Sequence, residues 1–381
     1  MNRSQTQFLE LLRAGLWGTA ADPDNFKPDS VDWRAVLRIA KEQTVSVIVA
    51  DGIETLPQEL WPPKEIMLRL MMLRVKTGQM HALLNSTIAQ IVRALDAEGV
   101  PSVLLKGQGV ARNYLKPESR TCGDIDLYTG LEGYEKACQI ISRLSKKDPA
   151  SGVEADHHMH LSLNGVEVEV HRMAGYMPGR KDNSSFQKWT QDSIDAHFAA
   201  GDLPLLDYGG TPVCLASPTF DAFFILHHAV RHMTTEGVGF RQICDWTMYI
   251  HKHHAQIDCA ELQRRLKEYG METVWREFSV FAVQILGLSA SELPVMPDRF
   301  ESRKTSKILG HIFASGNFGR FDVNPKDHSE VPYLKRKWRS FRYQTARLFK
   351  LYPLFPRYIS SYMWHWSTGA FNKFIQQKDK D

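Results

Sequence analysis

No apolar run in this 381-residue chain approaches the roughly 20 residues a membrane-spanning helix needs. The first apolar stretch carries Glu10, so it reads as a short helix rather than a signal peptide. Cysteine is scarce. Its five copies, Cys122, Cys138, Cys214, Cys244 and Cys259, form no C-x-x-C pair. An odd, scattered set argues against a disulfide framework and suits reduced thiols in a cytoplasm. No Walker loop, G-x-G-x-x-G, G-x-S-x-G or H-E-x-x-H occurs. The common kinase folds, dinucleotide dehydrogenases, serine hydrolases and zinc proteases therefore lose support. Acid is what the end of the chain lacks. From residue 331 onward eleven Lys/Arg face two acids, Asp379 and Asp381, while the preceding 330 residues hold 36 bases and 41 acids. The formal net charge of +4 hides an acidic body and a basic tail.

What is present is ordinary globular material, 43% hydrophobic and 24% charged, enough for two or three domains. Residues 1–98 read as a helical region. Trp33, Val36, Leu37 and Ala40 share one helical face, and Leu84, Ile88, Ile91 and Leu95 form a second stripe after Pro62-Pro63. Residues 99–213 change pattern. "VPSVLLKG" suits a buried strand, "QGVARNYL" a short helix, "DIDLY" a strand and "LEGYEKACQIISRL" a helix. "HLSLNGVEVEVH" reads as a hairpin turning at Asn164-Gly165. Residues 214–292 return to helices, starting at Ser217-Pro218, and 293–381 form a basic, aromatic segment. The expected class is α+β, a small mixed sheet with helices between flanking helical regions.

The strand "DIDLY" places Asp124 and Asp126 on one face, roughly 7 Å apart along the chain, with Ile125 and Leu127 opposite. Two carboxylates a few ångströms apart repel by roughly 4 kcal/mol at an effective dielectric near 20. They need a cation, a shared proton or open water. On "VEVEVH" Glu167, Glu169 and His171 alternate on one face. If that strand lies beside "DIDLY", three or four acids converge on an oxygen-rich patch suited to Mg²⁺. Lys106-Gly107 closes the preceding strand, and Arg120 stands four residues before Asp124. Together these describe a magnesium–nucleotide site. A lone D-x-D, by contrast, is usually a solvated strand face.

"VLLKGQGVARNYLKPESRTCGDIDLY" resembles the opening signature of the bacterial uncharacterised nucleotidyltransferase family. That family belongs to the DNA polymerase beta-like superfamily, marked by a glycine turn followed by a hydrophobic-bracketed D-x-D. "HLSLNGVEVEVHRM" is similar to its later strand, "FILHHAVRHMTTEGVGFRQICDWTMYI" to its helical region, and "VDWRAVLRIAKEQTVSVIVADGI" to its lead-in. The resemblance spans about residues 30–290. Gln108 departs from the wider superfamily, where a serine often follows the glycine.

The resemblance implies transfer of a nucleoside monophosphate from an NTP, ATP included, to an acceptor, releasing pyrophosphate. Asp124 and Asp126 would hold two Mg²⁺, with Mn²⁺ an alternative, and Glu169 would be the third carboxylate, with Glu167 next in line. Lys106, Gly107 and Arg120 would contact phosphate, although Lys106 and Arg120 could equally pair with the acids. The rival is a catalytically silent nucleotide-binding or antitoxin-like protein of the same fold. Both aspartates, repelling each other without metal, are expected to tolerate asparagine without loss of stability. The clusters "HHMH" (His157, His158, His160) and "HKHH" (His251, His253, His254) are expected on polar surfaces, His160 excepted because it opens the strand before the hairpin. Arg241 and Asp245 are spaced for an ion pair. The tail either packs its aromatics on the acidic body or meets an anionic membrane surface, a protein partner or, least favoured, nucleic acid.

Overall fold

Asn2 and Gln5 each accept a hydrogen bond from the other's backbone N–H, at 2.9 and 3.0 Å, starting helix α1 (Arg3–Trp17). The computed structural model describes residues 1–28, 30–146, 153–154, 158–201, 203–300, 303–317 and 333–366. The lead-in is two helices, α2 (Trp33–Glu42) and α3 (Ser46–Ile53), parted where Thr44 takes a φ of 58°. Helices α1 and α3 cross at bare backbone. A Cβ on Gly15 would lie 1.9 Å from the Ile48 carbonyl oxygen, and one on Gly52 2.0 Å from that of Leu11. Only glycine fits at either place.

The long helix α4 (Lys64–Ala97) starts after Pro63 and buries Leu84, Ile88, Ile91 and Leu95. Then come β1 (Val103–Leu105), α5 (Gly107–Ala111), β2 (Asp124–Tyr128), α6 (Gly130–Ser145), β3 (Val153–Glu154), β4 (His158–Leu163) and β5 (Val166–His171). Asn164 and Gly165 take φ of 54° and 79°, the doubly positive turn that matches strand twist. After α7 (Arg180–Ala200) come β6 (Leu205–Asp207) and β7 (Pro212–Leu215). Among the described residues, seven strands make one mixed sheet in the order β3-β4-β5-β2-β1-β7-β6. Strands β2 and β5 are parallel neighbours, as are β1 and β7. The fold is α+β, as expected; strands β3, β6 and β7 are too short for alternation to reveal them.

Helices α8 (Pro218–Thr235), α9 (Phe240–His253), α10 (Cys259–Glu268), α11 (Glu272–Phe281), α12 (Thr305–Ser315) and α13 (Tyr333–Leu351) follow. The described residues form two apolar cores. One joins α1–α3 to α8–α12; the other lies between the sheet, α6 and the second half of α4. The basic tail is divided between body and solvent. Leu348, Leu351, Leu354, Phe355, Tyr358 and Ile359 are buried in the first core, while Trp338, Phe341, Phe349, Tyr352 and Trp364 are exposed.

Candidate active site

Strand alternation sets the site. Ile125, Val168 and Val170 are fully buried on one face of β2 and β5, which turns the carboxylates to the other. The parallel register sets Asp124 beside Glu167 and Asp126 beside Glu169, the convergence anticipated above. Strand β4 extends it, placing His160 beside Glu169 and His158 beside His171. One row across the sheet thus reads His160, Glu169, Asp126; the next reads His158, His171, Tyr128.

This face floors a cavity of about 510 Å³. Lys106 and Gly107 turn into it, with left-handed φ of 49° and 37°. The Lys106 ammonium lies 2.9 Å from Asp126 Oδ1, and His171 Nε2 lies 3.0 Å from the same oxygen and 3.3 Å from Glu169 Oε2. Burial alone would raise the pKa of Asp126, which is 3% exposed, but Lys106 and His171 pull it well below the usual carboxylate range. Asp124 behaves oppositely. Burial and then the Asp126 charge raise it, against Lys106 and Arg241. Burial lowers His171, yet its bonds to Asp126 and Glu169 leave it above the ordinary value.

The opposite wall comes from α8 and α9. His228, Arg231, His232 and Arg241 line the cavity across from the acids. His228 Nε2 and His232 Nε2 are 2.9 Å apart. Burial holds both below the ordinary imidazole value, with Lys106 and Arg231 adding to the effect. The sheet acids thus share the cavity with Arg231, Arg241 and two imidazoles, with Glu236 beside them, an arrangement able to hold metal at the acids and phosphate at the arginines.

Arg120 is 5% exposed and pins the loop before β2 to α9. Its Nε and Nη2 donate to the two oxygens of Asp245, each at 2.7 Å, and Nη1 to Cys122 Sγ at 2.8 Å. Tyr114 Oη adds a bond to Asp245 at 2.7 Å. Burial opposes the Arg120 charge, and Asp245 more than offsets it. Asp245, assigned to Arg241 by spacing, thus holds Arg120, while Arg241 Nη1 donates to the Thr121 carbonyl at 3.1 Å. Gln108 is buried and donates to Asn85 on α4.

The histidine expectations divide. His251 bonds Glu292 at 2.9 Å, His253 bonds Asn113 at 2.9 Å, and His254 bonds the His251 carbonyl at 3.0 Å, so "HKHH" is structural, although His253 is buried and not on the expected polar surface. In "HHMH" His158 corrects the expectation of a polar surface, while His160, excepted from it, stands where its strand position suggested. His157 lies outside the described residues, but His158 and His160 stand on β4 beside the acids. The same odd–even parity that picked out Glu167, Glu169 and His171 applied to His158 and His160. Arg231 and Arg241 carried no such local signal.

A family model described as uncharacterised nucleotidyltransferase matches residues 29–287. The chain belongs to that family. None of the curated proteins compared matches it. The crystal structure of an antigenic nucleotidyltransferase-like protein from Paracoccidioides brasiliensis is 18% identical, with a TM-score of 0.32, covering 57% of this chain and 94% of that one. A likeness so slight carries no argument. The D-x-D strand, the Glu-x-His strand and helices α8 and α9 all fall within the segment that defines this nucleotidyltransferase family member.

Proposed function

We propose that this protein is a magnesium-dependent nucleotidyltransferase that moves a nucleoside monophosphate from an NTP to an acceptor, in the manner of the DNA polymerase beta-like superfamily. One observation carries the reading: Asp124 and Asp126 share a sheet face with Glu169, at the floor of a cavity that Arg231 and Arg241 also line. Asp124, Asp126 and Glu169 would supply an oxygen donor set that suits hard cations. Bound there, two Mg²⁺ or Mn²⁺ would neutralise charge on the attacking and leaving oxygens. Lys106, released from Asp126, would turn to phosphate together with Arg241, Arg231 and His228. The acceptor oxygen bonds to the α-phosphorus and the α–β anhydride bond breaks. Pyrophosphate leaves with the electron pair, and Glu169 takes the acceptor's proton.

The second reading, a silent nucleotide-binding or antitoxin-like protein of the same fold, is favoured by the neutralisation of Asp126 through Lys106 and His171. Labelled NTPs, offered with Mg²⁺ and a panel of hydroxylated small molecules, proteins and RNA, decide between them. Pyrophosphate release that disappears in Asp124→Asn supports the transferase. Mg²⁺-dependent NTP binding without release supports the silent protein, and no NTP binding sinks both.

A further inference from the structure

We propose that the β4–β5 hairpin holds a second cation site, of mixed nitrogen and oxygen donors, formed by His158, His160 and Glu169 and suited to a transition metal of the Zn²⁺ class. His158 Nε2 lies 2.9 Å from His160 Nε2 and 3.6 Å from Glu169 Oε2. In tetrahedral sites with metal–ligand bonds of about 2.0–2.2 Å, ligand atoms stand roughly 3.4 Å apart. His160 approaches Glu169 as well, its Nδ1 3.5 Å from Oε1. Antiparallel pairing fixes their backbones, because His160 is the direct cross-strand partner of Glu169.

The other nitrogen of His160 strengthens the assignment. His160 Nδ1 lies 2.7 Å from Glu167 Oε1. A ligating imidazole commonly gives its second N–H to a carboxylate, which fixes tautomer and ring orientation. Glu167, whose side chain is 55% exposed, would have that role. The donor set separates this site from the Asp124–Asp126 pair. Imidazoles favour zinc-like cations, whereas carboxylates alone favour Mg²⁺. The site rests on the nucleotidyltransferase reading only where Glu169 serves both, and it requires no turnover.

The test is titration of the metal-free full chain with Zn²⁺ against a chromophoric chelator. One equivalent should bind. His158→Gln and His160→Gln should each weaken it at least about tenfold, Glu167→Gln about tenfold, and Asp124→Asn not at all. Co²⁺ in the unaltered protein should give two exchangeable, paramagnetically shifted imidazole N–H resonances, a readout independent of any variant's folding. No Zn²⁺ binding, binding lost in Asp124→Asn but kept in the histidine variants, or fewer than two shifted resonances would overturn the site. Absence of pyrophosphate release with Zn²⁺ binding intact would count against the transferase alone.

A separate observation on α13 carries a second inference: its outward face docks on an anionic lipid bilayer. Trp338, Phe341, Thr345 and Phe349 recur at spacings of three and four, with Tyr352 next in the stripe. The four aromatics are between 42% and 63% exposed. Leu348 and Leu351 are buried against the body, and Gln344 donates to the Thr234 carbonyl at 2.6 Å. Lys335, Arg339, Arg342 and Lys350, all exposed, edge the stripe. An apolar aromatic band bordered by bases fits the headgroup boundary of an anionic membrane. Trp338 stacks on Phe341 at 5.8 Å, and Phe341 on Trp366 at 4.9 Å. Rings already stacked on one another offer less face to nucleic-acid bases, which disfavours RNA. Vesicles of phosphatidylcholine with phosphatidylserine should sediment the full chain and phosphatidylcholine vesicles should not. Trp338→Ala with Phe349→Ala should reduce sedimentation at least about tenfold. Equal sedimentation with both lipids, binding of a single-stranded RNA without vesicle binding, or concentration-dependent dimerisation without vesicle binding would overturn the inference.

Discussion

Replacing Asp126 by asparagine should destabilise the metal-free protein, while the same change at Asp124, two residues along the same face, should not. The motif alone treats the two carboxylates as equal, repelling partners that both gain from neutralisation. Lys106 breaks that symmetry. Its ammonium is 2.9 Å from Asp126, and His171 is 3.0 Å from the same oxygen, with Asp126 and His171 buried. Removing one partner of a buried ion pair costs about 3–5 kcal/mol. Asparagine keeps an acceptor oxygen, which recovers about 1 kcal/mol. The expected loss is about 2–4 kcal/mol. Asp124 is raised by burial and by Asp126, so neutralising it leaves stability unchanged or higher. The pH dependence separates the two further. With its folded pKa lowered, Asp126 contributes stability above its unfolded value near 4, and that contribution is lost as pH falls. With its folded pKa raised, Asp124 costs stability as pH rises past that same value. Denaturant unfolding in a chelator at pH 7 and near pH 4 measures both. Equal losses at pH 7, or a larger loss for Asp124→Asn, would refute the reasoning.

Glu169→Gln should lower pyrophosphate release by at least about a hundredfold and Glu167→Gln by under about tenfold, because only Glu169 stands beside Asp126. Steady-state rates at saturating Mg²⁺ and NTP check this; the reverse order would move the third carboxylate to Glu167. Arg120→Met should cost about 3–5 kcal/mol by stranding buried Asp245, and Arg120→Lys should not restore the bidentate pair. A loss under about 1 kcal/mol on denaturant unfolding would show the pair to be dispensable. Burial pushes the Asp221 carboxyl up to about 7. The wild type should therefore lose up to about 4 kcal/mol of stability as pH rises from 4 to 7, and Asp221→Asn should lack that decline. Parallel slopes for the two proteins would mean that Asp221 is ionised in the fold.

Local chemistry made much of this protein legible. A period of two put Asp124 with Asp126 and Glu167 with Glu169 on common faces, and Asn164-Gly165 marked the hairpin. Helical stripes after Pro63 and Ser217 identified α4 and α8, because amphipathic period and a proline at the helix start act within a few residues. Tertiary structure decided the rest. Alternation says which residues share a face but not which strand lies alongside. The parallel docking of β5 on β2, and with it the arrival of His158 and His160 beside Glu169, depends on closing distant segments onto one sheet. The pairing of Lys106 with Asp126 and of Arg120 with Asp245, 125 positions apart, depends on which charges become buried together. Desolvation is a property of the packed molecule, so no spacing within the sequence reveals it.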